Sequence, residues 1–354
     1  MSMTRYVFIT SADKGKADCG KAGISRRIME SHELVRKNEA AIKSFLGSRR
    51  ITSETVVFPA YYGEILAWAL KCYLERNCWQ IARVLGYRYS EPEHAKINTD
   101  YHRDEEVLVD GQLLIDNGDH RLVITADAKV CSKSLVRVEG STNNKCEIKK
   151  FSDGIKTIIE KENYYRNKKV TFNGRIQFMD ICDEAWGNIN LAPVIKEQIK
   201  ASTIGLLGKK QTWIKYGMPL KRCVLLIGEA DEDKTAICRA LMTEAVGITC
   251  ITADAHDLDY DCAAQLYHLA RDLSPCIVFI EDICCGSLKT SHRGAGQNRI
   301  NSDYPRVSSL LYLLTILASV EEHERIVTVA TTSSAMPLVR RYFTEKQLIM
   351  ATGS

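Results

Sequence analysis

A chain of 354 residues that is 45% hydrophobic and 26% charged has an ordinary globular composition, long enough for a full core and for about two or three domains. Its formal charge of +4 is mild, and Lys and Arg are interspersed with Asp and Glu, which argues against nucleic acid or a membrane surface as partner. The 13 cysteines form no paired C-x-x-C set, their count is odd, and no signal peptide opens the chain, so reduced, buried thiols in a cytoplasmic protein are expected rather than disulfides or zinc.

Residues 1–55 are polar, with one amphipathic helical pattern from Ile28 to Phe45. Residues 56–182 read as an α+β module. Tyr61 to Leu85 shows apolar residues at three- and four-residue spacing, including Leu66, Leu70, Tyr73, Leu74, Trp79, Ile81 and Val84, and predicts helix throughout. Short apolar runs at Val107–Val109, Leu113–Ile115, Leu122–Ile124 and Leu135–Val138 are separated by Asp110-Gly111 and Asn117-Gly118-Asp119, which predicts an antiparallel meander. A helix from Ile155 to Tyr165 and two strands about Asn173-Gly174 complete the module.

From residue 183 onward the order changes to alternating helix and strand, the pattern of a parallel α/β sheet with crossover helices. Strands are expected at Val224–Ile227, Ile248–Thr252, Ile277–Ile280 and Ile326–Ala330, with helices near 234–246, 262–273 and 308–317 between them. The apolar stretch from Val307 to Val320 is 14 residues long with three serines, too short and too polar to span a bilayer.

The first of those strands runs into Gly228-Glu229-Ala230-Asp231-Glu232-Asp233-Lys234-Thr235. The spacing matches the phosphate-binding motif G-x-x-x-x-G-K-[ST]. There, backbone N–H groups at a helix start cradle phosphates, the Lys reaches the β and γ phosphates, and the hydroxyl holds Mg²⁺. Asp233 stands where the second Gly belongs, and four of residues 229–233 are carboxylates that repel a triphosphate. Each like-charge pair at about 4 Å costs roughly 1 kcal/mol in water and about 4 at an effective dielectric near 20. The same acids can equally be read as helix-start carboxylates accepting orphan N–H groups, with Lys234 paired to a loop acid, to Glu281 or to Asp282.

Two further segments follow in order: Ser274-Pro275-Cys276-Ile277-Val278-Phe279-Ile280-Glu281-Asp282, and Arg325-Ile326-Val327-Thr328-Val329-Ala330-Thr331-Thr332-Ser333. With Tyr216-Gly217-Met218-Pro219 ahead of the loop strand, residues 186–333 resemble the large subdomain of an AAA+ ATPase, its Walker A, Walker B and sensor 1 elements in sequence. The resemblance implies a P-loop NTPase fold. It assigns phosphate contact to Gly228, Asp233, Lys234 and Ser333, Mg²⁺ to Thr235 and Glu281, and catalytic carboxylates to Glu281 and Asp282.

The family's usual order of the last two acids is Asp then Glu, its sensor is usually Asn where Ser333 stands, and its arginine finger would fall at Gln347. Residues 183–354 are therefore expected to be a P-loop subdomain that closes before the family's helical lid. The implied protein is an AAA+-like pseudoenzyme, a scaffold or a homo- or hetero-oligomeric ring partner in remodelling a protein substrate. The alternative is an ATP- and Mg²⁺-binding ATPase that tolerates an acidic loop, and a hard-cation site built from the loop acids with Glu281 and Asp282 ranks third. Tyr260 is a candidate pore-loop aromatic. His256, His268 and His323 have no partners at ligand spacing and are expected on the surface or on helix faces.

Overall fold

The computed structural model describes residues 20–128, 133–181, 184–208, 215–216, 221–228, 231–255, 258, 260–283, 320–321, 323–332 and 348–350. After helix α1 (Gly20–Leu46), strand β1 (Ile51–Pro59) leads through a short 3₁₀ turn at Ala60–Tyr62 into α2 (Gly63–Arg76). Strands β2 (Gln80–Leu85), β3 (Glu93–Asp100), β4 (Arg103–Asp116), β5 (Arg121–Asp127) and β6 (Lys133–Ser141) follow, then α3 (Lys145–Glu162). These strands make an antiparallel sheet of order β1-β6-β5-β4-β2, with β3 pairing the first half of β4.

Two local expectations are corrected here. The helical pattern does not run to Leu85: α2 stops at Arg76, Cys78 takes a left-handed φ of 53°, and residues 80–85 form strand β2. Ile81 and Val84 lie three residues apart, a helical spacing, yet both are exposed on this edge strand, so their period carried no core information. Asp110-Gly111 is likewise no turn. Gly111, at φ 152°, lies inside the single strand β4 where its partner changes from β3 to β2, and glycine's freedom lets the strand bend there without reversing. The actual reversal lies at residues 117–120, where Asn117 Oδ1 accepts the N–H groups of Asp119 and His120.

A parallel sheet forms the second layer, giving a mixed α/β fold with flanking helices. Its strands are β7 (Lys169–Phe172), β8 (Ile176–Phe178), β9 (Arg222–Ile227), β10 (Thr249–Asp254), β11 (Cys276–Glu281), β12 (Ile326–Thr332) and β13 (Leu348–Met350), in the order β13-β9-β12-β11-β10-β7-β8. Among the described residues of this sheet, only the β7–β8 hairpin pairing is antiparallel. The strands around Asn173-Gly174 thus join this sheet, with β7 lying parallel beside β10. Helices α4 (Pro193–Ser202), α5 (Ile204–Gly208), α6 (Asp231–Glu244) and α7 (Tyr260–Asp272) cover it. The helix expected near 308–317 lies outside the described residues.

Both faces of this sheet are buried, which is why its strands read as continuous apolar runs. Val224, Leu226, Ile277, Phe279, Val327 and Val329 pack with Ile237 and Leu241 of α6 and with Ile199 of α4. The alternate residues Leu225, Ile251, Val278 and Ile280 face Leu266, Tyr267 and Ala270 of α7, and that core continues without a break into α2, α3 and the antiparallel sheet. Polar ties cross the same boundary: Lys168 Nζ lies 2.8 Å from Asp100 Oδ1, and the Tyr101 hydroxyl accepts the Lys169 N–H at 2.9 Å.

Candidate functional site at the carboxyl ends of the parallel strands

Strand order decides where a ligand can sit. From β9 the chain crosses three positions to β10, past the places later filled by β12 and β11, and returns through β11 to β12 beside β9, whereas β13 lies on the other flank of β9. Connections from β9 and β12 therefore leave in opposite directions. In open α/β sheets ligands bind outside the carboxyl ends of strands at such a switch point. Gly228, at the end of β9, donates its N–H to the Thr332 carbonyl at 3.3 Å across that junction.

Helix α6 starts at Asp231, so only Gly228, Glu229 and Ala230 separate it from β9, and Asp231, Glu232 and Asp233 lie in its first turn. Sequence periodicity had put that start nearer Lys234. Lys234 is buried, and its ammonium Nζ donates to the Gly228 carbonyl at 2.5 Å, closing the segment on itself. Thr235 is half-buried on the next position of the same helix.

At the end of β11, Glu281 is paired in register with Asp254 of β10, and its carbonyl accepts the Ala255 N–H at 3.0 Å. Burial raises the Glu281 carboxyl above the usual carboxylate range; the Arg239 guanidinium on α6 opposes that shift and Asp254 adds to it. Burial likewise pushes up the neighbouring Cys238 thiol, with the Glu281 charge adding to it. Asp282 follows with a left-handed φ of 52°, a conformation that costs a non-glycine residue on the order of 1 kcal/mol or more.

What holds Asp282 there is the end of β12. Thr331 Oγ1 accepts the Asp282 N–H at 3.0 Å, and the Thr331 carbonyl accepts the Ile283 N–H at 2.8 Å. The Thr332 hydroxyl in turn donates to the Ile283 carbonyl at 2.9 Å. Thr331, Thr332 and Arg239 shape this corner and were not singled out from the sequence. The only advance signal was a pair of threonines at the tip of an otherwise apolar strand.

The fold thus places Gly228, Lys234, Thr235, Glu281 and Asp282 at the carboxyl ends of the interior strands β9 and β11 or on the helix that follows β9, with Asp233 placed by its backbone in the first turn of α6. Ser333 and the side chains of Asp233 and Tyr260 lie outside what is described. Over 193 residues the chain is 28% identical to the ATPase family protein 2 homolog of Caenorhabditis elegans. That match takes in 52% of this chain and 25% of the relative, so the chain spans about a quarter of the length of the curated relative it matches. No family model matches the sequence. Among the described residues there is no cluster of three or more His, Cys, Asp or Glu able to hold a metal ion, and no helix long and apolar enough to cross a membrane. Cys223, Cys238, Cys250 and Cys276 are free and buried within the second layer.

Proposed function

We propose that this chain is an AAA+ ATPase-like protein whose nucleotide site is impaired, and that it serves as a scaffold or ring partner in protein remodelling rather than as an efficient ATPase. The likeness to a protein named as an ATPase, together with the loop, acid and hydroxyl positions at one switch point, supports the ancestry. The observation that carries the impairment is the start of α6 at Asp231. A phosphate-binding loop presents free N–H groups and a positive helix end to its anion. Here the sequence of that first turn is Asp231, Glu232 and Asp233, and an acidic residue type in a first turn is favoured by about 0.3 to 1 kcal/mol, which sets it in competition with a phosphate. A helical backbone at Asp233 also removes the steric need for glycine at that position.

The residues therefore do not fit a triphosphate well, and no hydrolytic step is assigned to them. A second reading keeps some support from Lys234, Thr235, Glu281 and Asp282, which retain the residue types that would hold ATP and Mg²⁺. The two readings separate in a thermal-shift and turnover assay with Mg-ATP on the chain and on its Lys234→Ala variant. An impaired site gives no nucleotide-dependent rise in Tm and negligible turnover in both proteins. A rise in Tm or turnover that Lys234→Ala abolishes establishes the second reading.

A further inference from the structure

The packing of the antiparallel module on α7 contains a group of titratable side chains that the nucleotide reading does not use. Tyr61 and Tyr62, on the 3₁₀ turn between β1 and α2, reach the last turn of α7. The Tyr62 hydroxyl donates to Asp272 Oδ2 at 2.6 Å. His268 Nδ1 lies 3.1 Å from the Tyr61 hydroxyl and 3.2 Å from that same carboxylate oxygen. Tyr62 and His268, from two distant parts of the chain, thus converge on one Asp carboxylate, and Tyr61 is tied to it through His268.

Asp272 is the last residue of α7, where the helix dipole disfavours a negative charge. Two cations lie at this helix end, one on the backbone carbonyls and one on the carboxylate. Arg166, in the turn before β7, donates to the Asp272 carbonyl at 2.6 Å and to the Ser274 carbonyl at 2.9 Å, and its charge is permanent. His268 supplies the other, and its charge depends on pH. Arg271, also on α7, is engaged with Glu324 at 2.9 Å.

We propose that His268, Asp272, Tyr61 and Tyr62 form a pH-responsive latch between the antiparallel module and α7, closed when His268 is protonated and loosened when it is neutral. An imidazolium donates from Nδ1 to the carboxylate with full charge assistance, which fixes Asp272 for the Tyr62 hydroxyl. Loss of the proton removes that charge assistance and leaves the carboxylate with the Tyr62 hydroxyl, while Arg166 stays on the backbone carbonyls of Asp272 and Ser274. The Asp272 hydrogen bond, followed by its charge, holds the imidazole proton above the usual histidine range, with burial and Arg271 opposing. A histidine raised in the folded state contributes stability that is complete below its unfolded pKa of about 6.5 and is lost as pH rises through the folded value. The latch is therefore tightest in mild acid and weakest in mild base.

Hydrogen–deuterium exchange on the full chain at about pH 6 and about pH 8, corrected for intrinsic exchange, tests it. Peptides covering 57–66 and 262–273 are expected to lose protection by about threefold or more at the higher pH, while peptides from β4 and β5 keep theirs. In His268→Gln the step at the latch disappears. Equal protection of the latch peptides at both pH values in the wild type, the same step in His268→Gln, or an equal step in β4 and β5 would each overturn the proposal.

Discussion

The two sheets of this protein dispose of their polar residues in opposite ways. Along β6 buried and more exposed positions alternate from Lys133 to Ser141, whereas β12 is buried at every position from Ile326 to Thr332 and β11 at all but Glu281. An antiparallel sheet with one solvated face can carry polar groups anywhere along its strands. A parallel sheet covered on both faces keeps its ionisable groups to strand ends, and the one hydroxyl inside β12, Thr328, is buried against the Tyr267 hydroxyl at 2.7 Å. The candidate site lies at such ends, and the difference explains why three short segments far apart in sequence can make one constellation there.

The sharpest way to break that comparison is to truncate matched positions in the two sheets. Phe279→Ala, fully buried at the centre of β11, is expected to cost about 3–5 kcal/mol in urea unfolding. Val57→Ala, on the exposed face of β1, should stay within about 0.5 kcal/mol. Similar losses at both sites would show that the first sheet hides a face behind a contact the fold does not reveal.

Next in size is Gly154 on α3, where an added Cβ would strike the Tyr73 ring on α2. Glycine to alanine in a helix ordinarily gains about 1 kcal/mol. Here Gly154→Ala should instead lose about 1–3 kcal/mol through overpacking, measured by thermal unfolding, and a gain would mean that the two helices are not held this closely.

Smaller still is the effect of Glu281. Folding raises its carboxyl pKa, so the charged form opposes folding above that pKa and the penalty fades as pH falls. Glu281→Gln should raise Tm modestly at about pH 8 and leave it nearly unchanged at about pH 4. A loss of Tm at the higher pH would indicate that the attraction of Arg239 outweighs burial. The smallest effect belongs to the exposed pair of Arg76 with Glu162, which joins α2 to α3 by two bonds of 2.8 and 2.7 Å; a double-mutant cycle should return about 0.2–1 kcal/mol, reduced by added salt.

Much of the parallel layer was legible because burial on both faces leaves unbroken apolar runs, and Val224–Ile227, Ile277–Ile280 and Ile326–Ala330 all lie inside observed strands. The first layer was less so. Its edge strand β2 mimics helical spacing by chance, β3 is too polar to announce itself, and one glycine inside β4 imitates a turn. At the candidate site, motif spacing named Gly228, Lys234 and Thr235, and the resemblance to an AAA+ ATPase named Glu281 and Asp282, since both rest on local patterns. Spacing does not report that Thr331 would hold Asp282 at a left-handed φ, or that Lys234 would turn back to the Gly228 carbonyl, because both contacts depend on which strands become neighbours.

His268 shows the same limit from another side. Its sequence neighbours offer only Asp272 one helical turn away, and its link to Tyr61 spans 207 positions. Such a group becomes visible only when the antiparallel module is laid against α7.

The central claim, that acids in the first turn of α6 have displaced a phosphate site, is tested most directly by calorimetric titration of the purified chain with Mg-ATP. The account predicts no binding heat. Low-micromolar binding that disappears in Lys234→Ala would contradict it and establish a working nucleotide site.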